Sequence, residues 1–129
     1  MFNLYSVTKP RATIRELAEV TVDILGKLPP LPEIFPDQKA PVVVTRPYDG
    51  QRELLMMRWG LPPPPGPGAG AIRNFFNTNE AWLQPYLRPY YRCLIPVTSF
   101  CKCEHMDGKS VPTWFALDDT RPLFFFAGI

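Results

Sequence analysis

The chain has 129 residues, with 14 Lys and Arg against 12 Asp and Glu, for a net charge of +2. Hydrophobic types make up 46% and charged types 20%, which suits one globular domain and excludes wholesale disorder. No apolar run reaches the ~18 residues of a membrane-spanning helix, and this mild basicity does not by itself announce a nucleic-acid partner.

In chain order, the opening MFNLYSVTKPR lacks the basic start and apolar core of a secretory signal. With three cysteines, an odd number, and no export signal, the expected setting is a reducing cytoplasm with no membrane attachment. Residues 10–25 are expected to be helical. Pro10 suits a first helical turn, and Thr13 with Glu16 offers an alternative capped start. Ile14, Leu17, Ala18 and Leu25 fall near one face, Asp23 lies on the wet side, and Gly26 suits the stop. Residues 28–41 carry Pro29, Pro30, Pro32 and Pro36, which forbid helix and discourage a central strand. They read as an extended surface arm. Val42, Val43 and Val44 then begin a strand, Pro47-Tyr48-Asp49-Gly50 is a turn, and Arg52 to Trp59 returns, so 41–59 reads as a hairpin.

Seventeen prolines, against roughly six at ordinary usage, punctuate the chain, most densely at LPPPPGPGAG, residues 61–70. This segment reads as a semi-rigid internal linker within one domain. Its PxxP pattern, Pro62 to Pro67, gives the alternative of a non-catalytic interaction module docking an aromatic groove. Glu80 to Leu87 reads as a short helix ended before Pro89, and Arg92 to Val97 and Thr113 to Leu117 as strands. Asp107-Gly108 and Asp118-Asp119 mark turns. Leu123 to Ala127 is a last strand whose three successive phenylalanines suggest burial on both faces. That strand lies at the chain's end, so either the sequence is a fragment or a second chain completes the sheet.

Four chemistries compete. Cys101, Cys103 and His105 alternate along a strand, with Cys93 upstream, but lack the paired spacing of a structural zinc site, so no metal is expected. His105 is the only histidine, and nothing in the sequence brings it to a nucleophile. GPGAG lacks the Lys-Ser/Thr of a phosphate loop. Arg73, Arg88, Arg92, Lys102, Lys109 and Arg121 are interleaved with Trp59, Phe75, Phe76, Trp82, Tyr90 and Tyr91. That mixture holds phosphates and stacks unpaired bases in single-strand binders, and it also fills cores.

Seven phrases in register carry a resemblance: MFNLY at 1–5, LPPLPEIFPD at 28–37, APVV at 40–43, RWGLP at 58–62, RCLIP at 92–96, TSF at 98–100 and FAGI at 126–129. Together they resemble the N-terminal three-fifths of the SOS response-associated peptidase family, the abasic-site processing proteins. The resemblance implies an α+β fold, a curved barrel-like antiparallel sheet with a few short helices, incomplete at the C-terminus. It implies a bacterial, nucleoid-associated protein whose partner is single-stranded DNA with abasic sites, needing no small-molecule cofactor. In the family, a Cys exposed at position 2 attacks the ring-opened abasic aldehyde through its α-amine. Its thiol then closes a thiazolidine crosslink. An Asn in an Asn-x-Arg motif orients the amino end, and a Glu after the Ser-Phe phrase and a later His move protons.

Here position 2 is Phe2, so the implied crosslinking is impaired. The Asn-x-Arg motif has two registers: Asn74 is kept with Phe76 in place of Arg, or Arg73 is kept with Ala71 in place of Asn. Lys102 stands where the Glu is expected, and Glu104 lies two positions on, toward the same strand face. The family His falls beyond residue 129. Asn74 and Glu104 are therefore the residual catalytic candidates, and Trp59, Arg73, Arg92 and Pro41 the DNA-binding ones.

Overall fold

A computed structural model describes residues 2–68 and 70–129. Two open sheets carry the chain, with one short helix. The first sheet has the order β3-β1-β7-β8, built from Leu4–Val7 (β1), Leu31–Ile34 (β3), Ser99–Met106 (β7) and Lys109–Phe115 (β8). All of its pairings are antiparallel. The second has the order β2-β5-β4-β6-β9, from Val22–Asp23 (β2), Lys39–Thr45 (β4), Arg52–Arg58 (β5), Cys93–Val97 (β6) and Phe124–Gly128 (β9). Its β2–β5 pairing is parallel and the rest antiparallel. The α+β reading holds, with the strands divided between two sheets, neither of them closed.

The hairpin expected over 41–59 forms, with Val43 opposite Leu54. The proline-rich arm is strand β3, and it sits at a sheet edge, where Pro32 takes no ladder bond from a second neighbour. The helix is shorter than expected. It covers only Arg11–Leu17 (α1), with Pro10 at its N-cap in an extended conformation. Glu19 turns left-handed at φ 52°, and the β-branched run Val20-Thr21-Val22 leads into β2 instead. The Arg52 guanidinium donates to the Ala18 carbonyl at 2.8 Å and so satisfies the freed helix end. Asp23, expected on the wet side, is half-buried with its side chain only 8% exposed, and Arg11 and Arg15 stand at 3.3 and 3.7 Å. The helix expected over 80–87 is two 3-10 turns, Gln84–Leu87 and Pro89–Tyr91. Pro85 and Pro89 each remove a helical N–H. Leu83 in this stretch is fully buried, apart from the main core cluster.

Asp107 and Gly108, at φ 49° and 74°, make the two-residue turn joining β7 to β8. Both angles are positive, as a primed hairpin turn requires. Strand β8 consequently starts at Lys109, four residues earlier than expected. The core joins both sheets to the helix through Tyr5, Val7, Ile14, Ile34, Val43, Leu54, Val97 and Leu123. Among the described residues, no helix is long and apolar enough to cross a membrane.

The chain passes from one sheet to the other at Thr98, between β6 and β7, where Ser6, Thr98 and Ser99 are all buried. Thr98 donates its N–H to the Ser6 carbonyl at 2.8 Å, and its hydroxyl donates to the same oxygen at 3.1 Å. The Thr8 N–H donates back to Thr98 Oγ1 at 3.2 Å. Thr98→Val keeps the volume and the backbone bond to Ser6, and it orphans the Thr8 N–H. It is expected to cost about 1–3 kcal/mol, read as a lower urea midpoint at unchanged slope.

Candidate functional site

Strand β1 pairs with β7 so that Tyr5 faces Phe100. The residues just before β1 are thereby carried to the junction of the two sheets. Phe2 packs there against Phe126 of β9, Phe100 of β7 and Trp59 beyond β5, at ring-centroid distances of 4.8, 5.4 and 5.8 Å. Tyr5 meets Trp59 edge-on at 5.2 Å, and Phe115 stacks on Phe100 at 5.4 Å. Burial raises the Tyr5 hydroxyl well above its usual range, and the Cys93 thiol adds to this.

A second segment closes over this cluster. Leu61 and Ile72 exchange backbone hydrogen bonds at 2.8 and 2.9 Å, which joins the ends of the proline-rich loop. Gly60 stands at φ 146°, and a Cβ there would lie 3.0 Å from the Ala71 Cβ, so the two chain passes touch. Held this way, the Trp59 indole N–H donates to the Arg73 carbonyl at 3.0 Å. Asn74 Nδ2 donates to the Phe2 carbonyl at 2.9 Å across 72 residues of sequence. Arg73 is exposed, with no acidic partner within ion-pair reach among the described residues. The result is a docked amino end with an aromatic wall, an amide on its backbone and a free guanidinium beside it.

The sequence model described as SOS response associated peptidase (SRAP) matches residues 1–129. The chain belongs to that family. The family's name associates its members with the SOS response. A crystal structure of a protein from Bordetella bronchiseptica has a similar fold, with a TM-score of 0.59 at 19% identity. The likeness covers 97% of this chain and 61% of that one, so the chain spans under two thirds of its structural relative's length. No curated protein matches it.

Within this SRAP domain, Trp59, Arg73 and Asn74 come together at Phe2, and the other candidates lie elsewhere. Arg92 donates its Nε–H to the Leu87 carbonyl at 2.9 Å and lines a separate cavity of about 240 Å³ with Arg52 and Cys93. Cys93 pairs with Val44, whereas Trp59 bonds to Gln38. Six residues, about 20 Å of strand, separate the two ends. Pro41 is fully buried in β4 and presents no surface to a DNA strand. Glu104 is exposed on the same face of β7 as Phe100, about 13 Å further along. Its Oε2 accepts from the Thr113 hydroxyl at 3.1 Å, and no hydrogen bond joins it to Asn74 or Phe2 among the described residues. Lys102 lies between Glu104 and Phe100 on that face.

Tyr5, Phe100 and Phe126 carry much of the site, and sequence reasoning did not single them out for it. The available signal was the phenylalanine run near the chain's end beside an alternating strand. Cys101, Cys103 and His105 share one face of β7, but Cys101 is buried while the other two are exposed. Among the described residues no group of three ligand types forms a metal cluster.

Burial raises the Cys93 thiol, and burial followed by the neighbouring Cys103 raises that of Cys101. A raised pKa means less thiolate, and thiolate is the reactive form. Iodoacetamide at pH 8 is therefore expected to label exposed Cys103 first, with Cys93 and Cys101 catching up only as pH rises. Peptide mass spectrometry checks this, and equal early labelling of all three contradicts it.

Proposed function

We propose that this chain is an abasic-site processing domain that binds single-stranded DNA and has lost efficient crosslinking. The observation supporting this is the Asn74 amide on the Phe2 carbonyl, which docks the amino end beneath Trp59 and beside Arg73. That is where the family's reaction would need its nucleophile. Asn74 would orient the amino end and the lesion sugar, Arg73 would hold a phosphate, and Trp59 would stack an unpaired base. Arg92 would touch the strand only at a distance from the lesion, and Glu104 would need a shift along β7 to move a proton. Binding DNA would place the protein at the nucleoid.

The chemistry of position 2 sets the expected limit. A free α-amine adds to the abasic aldehyde and loses water to give an imine. In a thiazolidine, a thiol on the same residue then adds to the imine carbon and its proton passes to the nitrogen. Phe2 has no group that can make the second bond. Its side chain is also too large for ordinary removal of the initiator Met, so the reacting amine would belong to the preceding residue. The expected product is a reversible imine that water reopens.

Two further readings have specific support. Pro62 and Pro65 are exposed while Pro63 and Pro64 are half-buried. A threefold polyproline repeat puts the exposed pair on one face, which favours recognition of this loop by an aromatic-lined partner. Val111, Trp114, Phe115 and Leu117 are exposed in and just beyond edge strand β8, which supports a second chain covering this sheet.

The test is direct. Fluorescent single-stranded DNA should bind at low salt and weaken as salt rises; no binding at low salt removes the proposal. With an abasic oligonucleotide, intact mass should show an adduct only after borohydride. Phe2→Cys should yield a borohydride-independent adduct. Adding Asn74→Ala to that variant should slow its formation by up to about a hundredfold, the cost of misplacing a reactive group.

A further inference from the structure

The segment after Asn74 borders an open pocket of about 330 Å³, lined by Asn74, Phe75, Phe76, Asn77, Glu80 and Trp82 among others. Asn74 is shared, so this cavity adjoins the docked amino end. Its walls are aromatic, and Phe76 leaves 78% of its surface exposed. Its polar groups are few and partly committed. Glu80 Oε2 accepts from the Trp82 indole N–H at 2.5 Å, and Glu80 Oε1 has no donor among the described residues. Asn77 Oδ1 accepts from the Asn79 N–H at 3.0 Å, which leaves the Asn77 amide hydrogens free. The cavity therefore offers one flat apolar platform, one unpaired carboxylate oxygen and one unpaired amide donor.

We propose that this cavity takes one unpaired nucleobase bearing an exocyclic amine, from a nucleotide flanking the lesion. The inference rests on the single-stranded DNA reading above and names the base class that site admits. A stacking platform on a largely exposed ring suits a base, because every base has a π-face. The carboxylate repels phosphate, so the backbone stays outside with Arg73 and the base turns inward. The polar pair then selects. A carboxylate only accepts hydrogen bonds, and it pairs with an amino group such as cytosine N4–H. The Asn77 amide serves an adjacent ring nitrogen or carbonyl. Cytosine and adenine each present an exocyclic amine at the end of the Watson–Crick edge, beside a ring-nitrogen acceptor. Thymine's single N–H lies between two carbonyls, so a carboxylate that accepts from it is brought against a carbonyl oxygen.

Three hexamers separate the claims: deoxycytidine, thymidine and an abasic spacer hexamer that keeps the phosphates and lacks every base. The wild-type chain should bind the deoxycytidine hexamer over the thymidine hexamer by roughly fivefold. Phe76→Ala should weaken the deoxycytidine hexamer about tenfold and leave the spacer hexamer unchanged. Glu80→Gln should level deoxycytidine and thymidine, since an amide both donates and accepts. Because both side chains are exposed, near-ultraviolet circular dichroism should confirm intact folding. Equal wild-type affinity for the two base-bearing hexamers, or an unaffected Phe76→Ala, overturns the pocket while spacer binding leaves the DNA reading standing. Free deoxycytidine provides a measurement that needs no strand. It should shift the Trp82 indole resonance and thymidine should not; failure of that shift overturns the proposal even if every hexamer binds.

Discussion

The buried corner at Thr98 fixes where everything else at the amino end can be. The chain leaves the second sheet at Val97 and enters the first at Ser99, with Thr98 fully enclosed between them. A peptide group turned away from both ladders and from water needs partners. It finds them on Ser6 of β1, the strand held between β3 and β7. Because the corner is tied to β1, the first strand cannot slide along its neighbours without breaking the crossing between sheets. Its leading residue is delivered to the seam, where a ring from each sheet, Phe100 and Phe126, meets Phe2.

That placement gives position 2 two conflicting roles. A nucleophile there needs to be small, exposed and free to rotate onto a sugar. A seam between two sheets favours a large apolar side chain, since each well-placed aromatic pair contributes about 0.5–1.5 kcal/mol beyond its burial. Phe2 serves the second role. Three ring neighbours and the Asn74 amide on its carbonyl hold the residue still. Under the proposed function, the contacts that stabilise the amino end would fill the space a sugar aldehyde needs. Loss of the thiol and gain of the packing would then be one substitution seen from two sides.

What could be read beforehand follows from how local each signal is. The β4–β5 hairpin was legible because three valines, a proline-glycine turn and a returning strand lie within one short stretch. Proline's missing N–H kept residues 28–41 out of a sheet's centre in the sequence reading, but the pairing of β3 with β1 at the sheet edge was not foreseen. Strand β1 was not visible: it is four residues long, and its partners β3 and β7 lie far along the chain. The helix was overextended because apolar spacing continued past Leu17, while the pairing of Val22 with Glu53 that converts this stretch to strand is non-local. Among the site residues, Trp59, Arg73 and Asn74 sit close together in sequence, and one backbone bridge gathers them. Pro41 belongs to a recognisable phrase, but a phrase does not say which way its side chain points, and this one points inward.

The two registers of the Asn-x-Arg motif differ in a way the packing addresses. In one, the amide belongs at position 71; in the other it is Asn74. Ala71 lies against Gly60, at a spacing that leaves no room for even a methyl group on the glycine without displacement. A longer side chain at 71 would have to turn away from that contact, and the Leu61–Ile72 bridge next to it restricts how far the backbone can follow. Asn74 is three residues on, past the bridge, and its amide reaches the Phe2 carbonyl directly. Under the proposed function, this geometry suits the register that keeps the amide at Asn74 and has Phe76 in place of the motif's arginine. Arg73 would then supply the positive charge from the residue before, and Phe76 is the exposed ring of the neighbouring pocket.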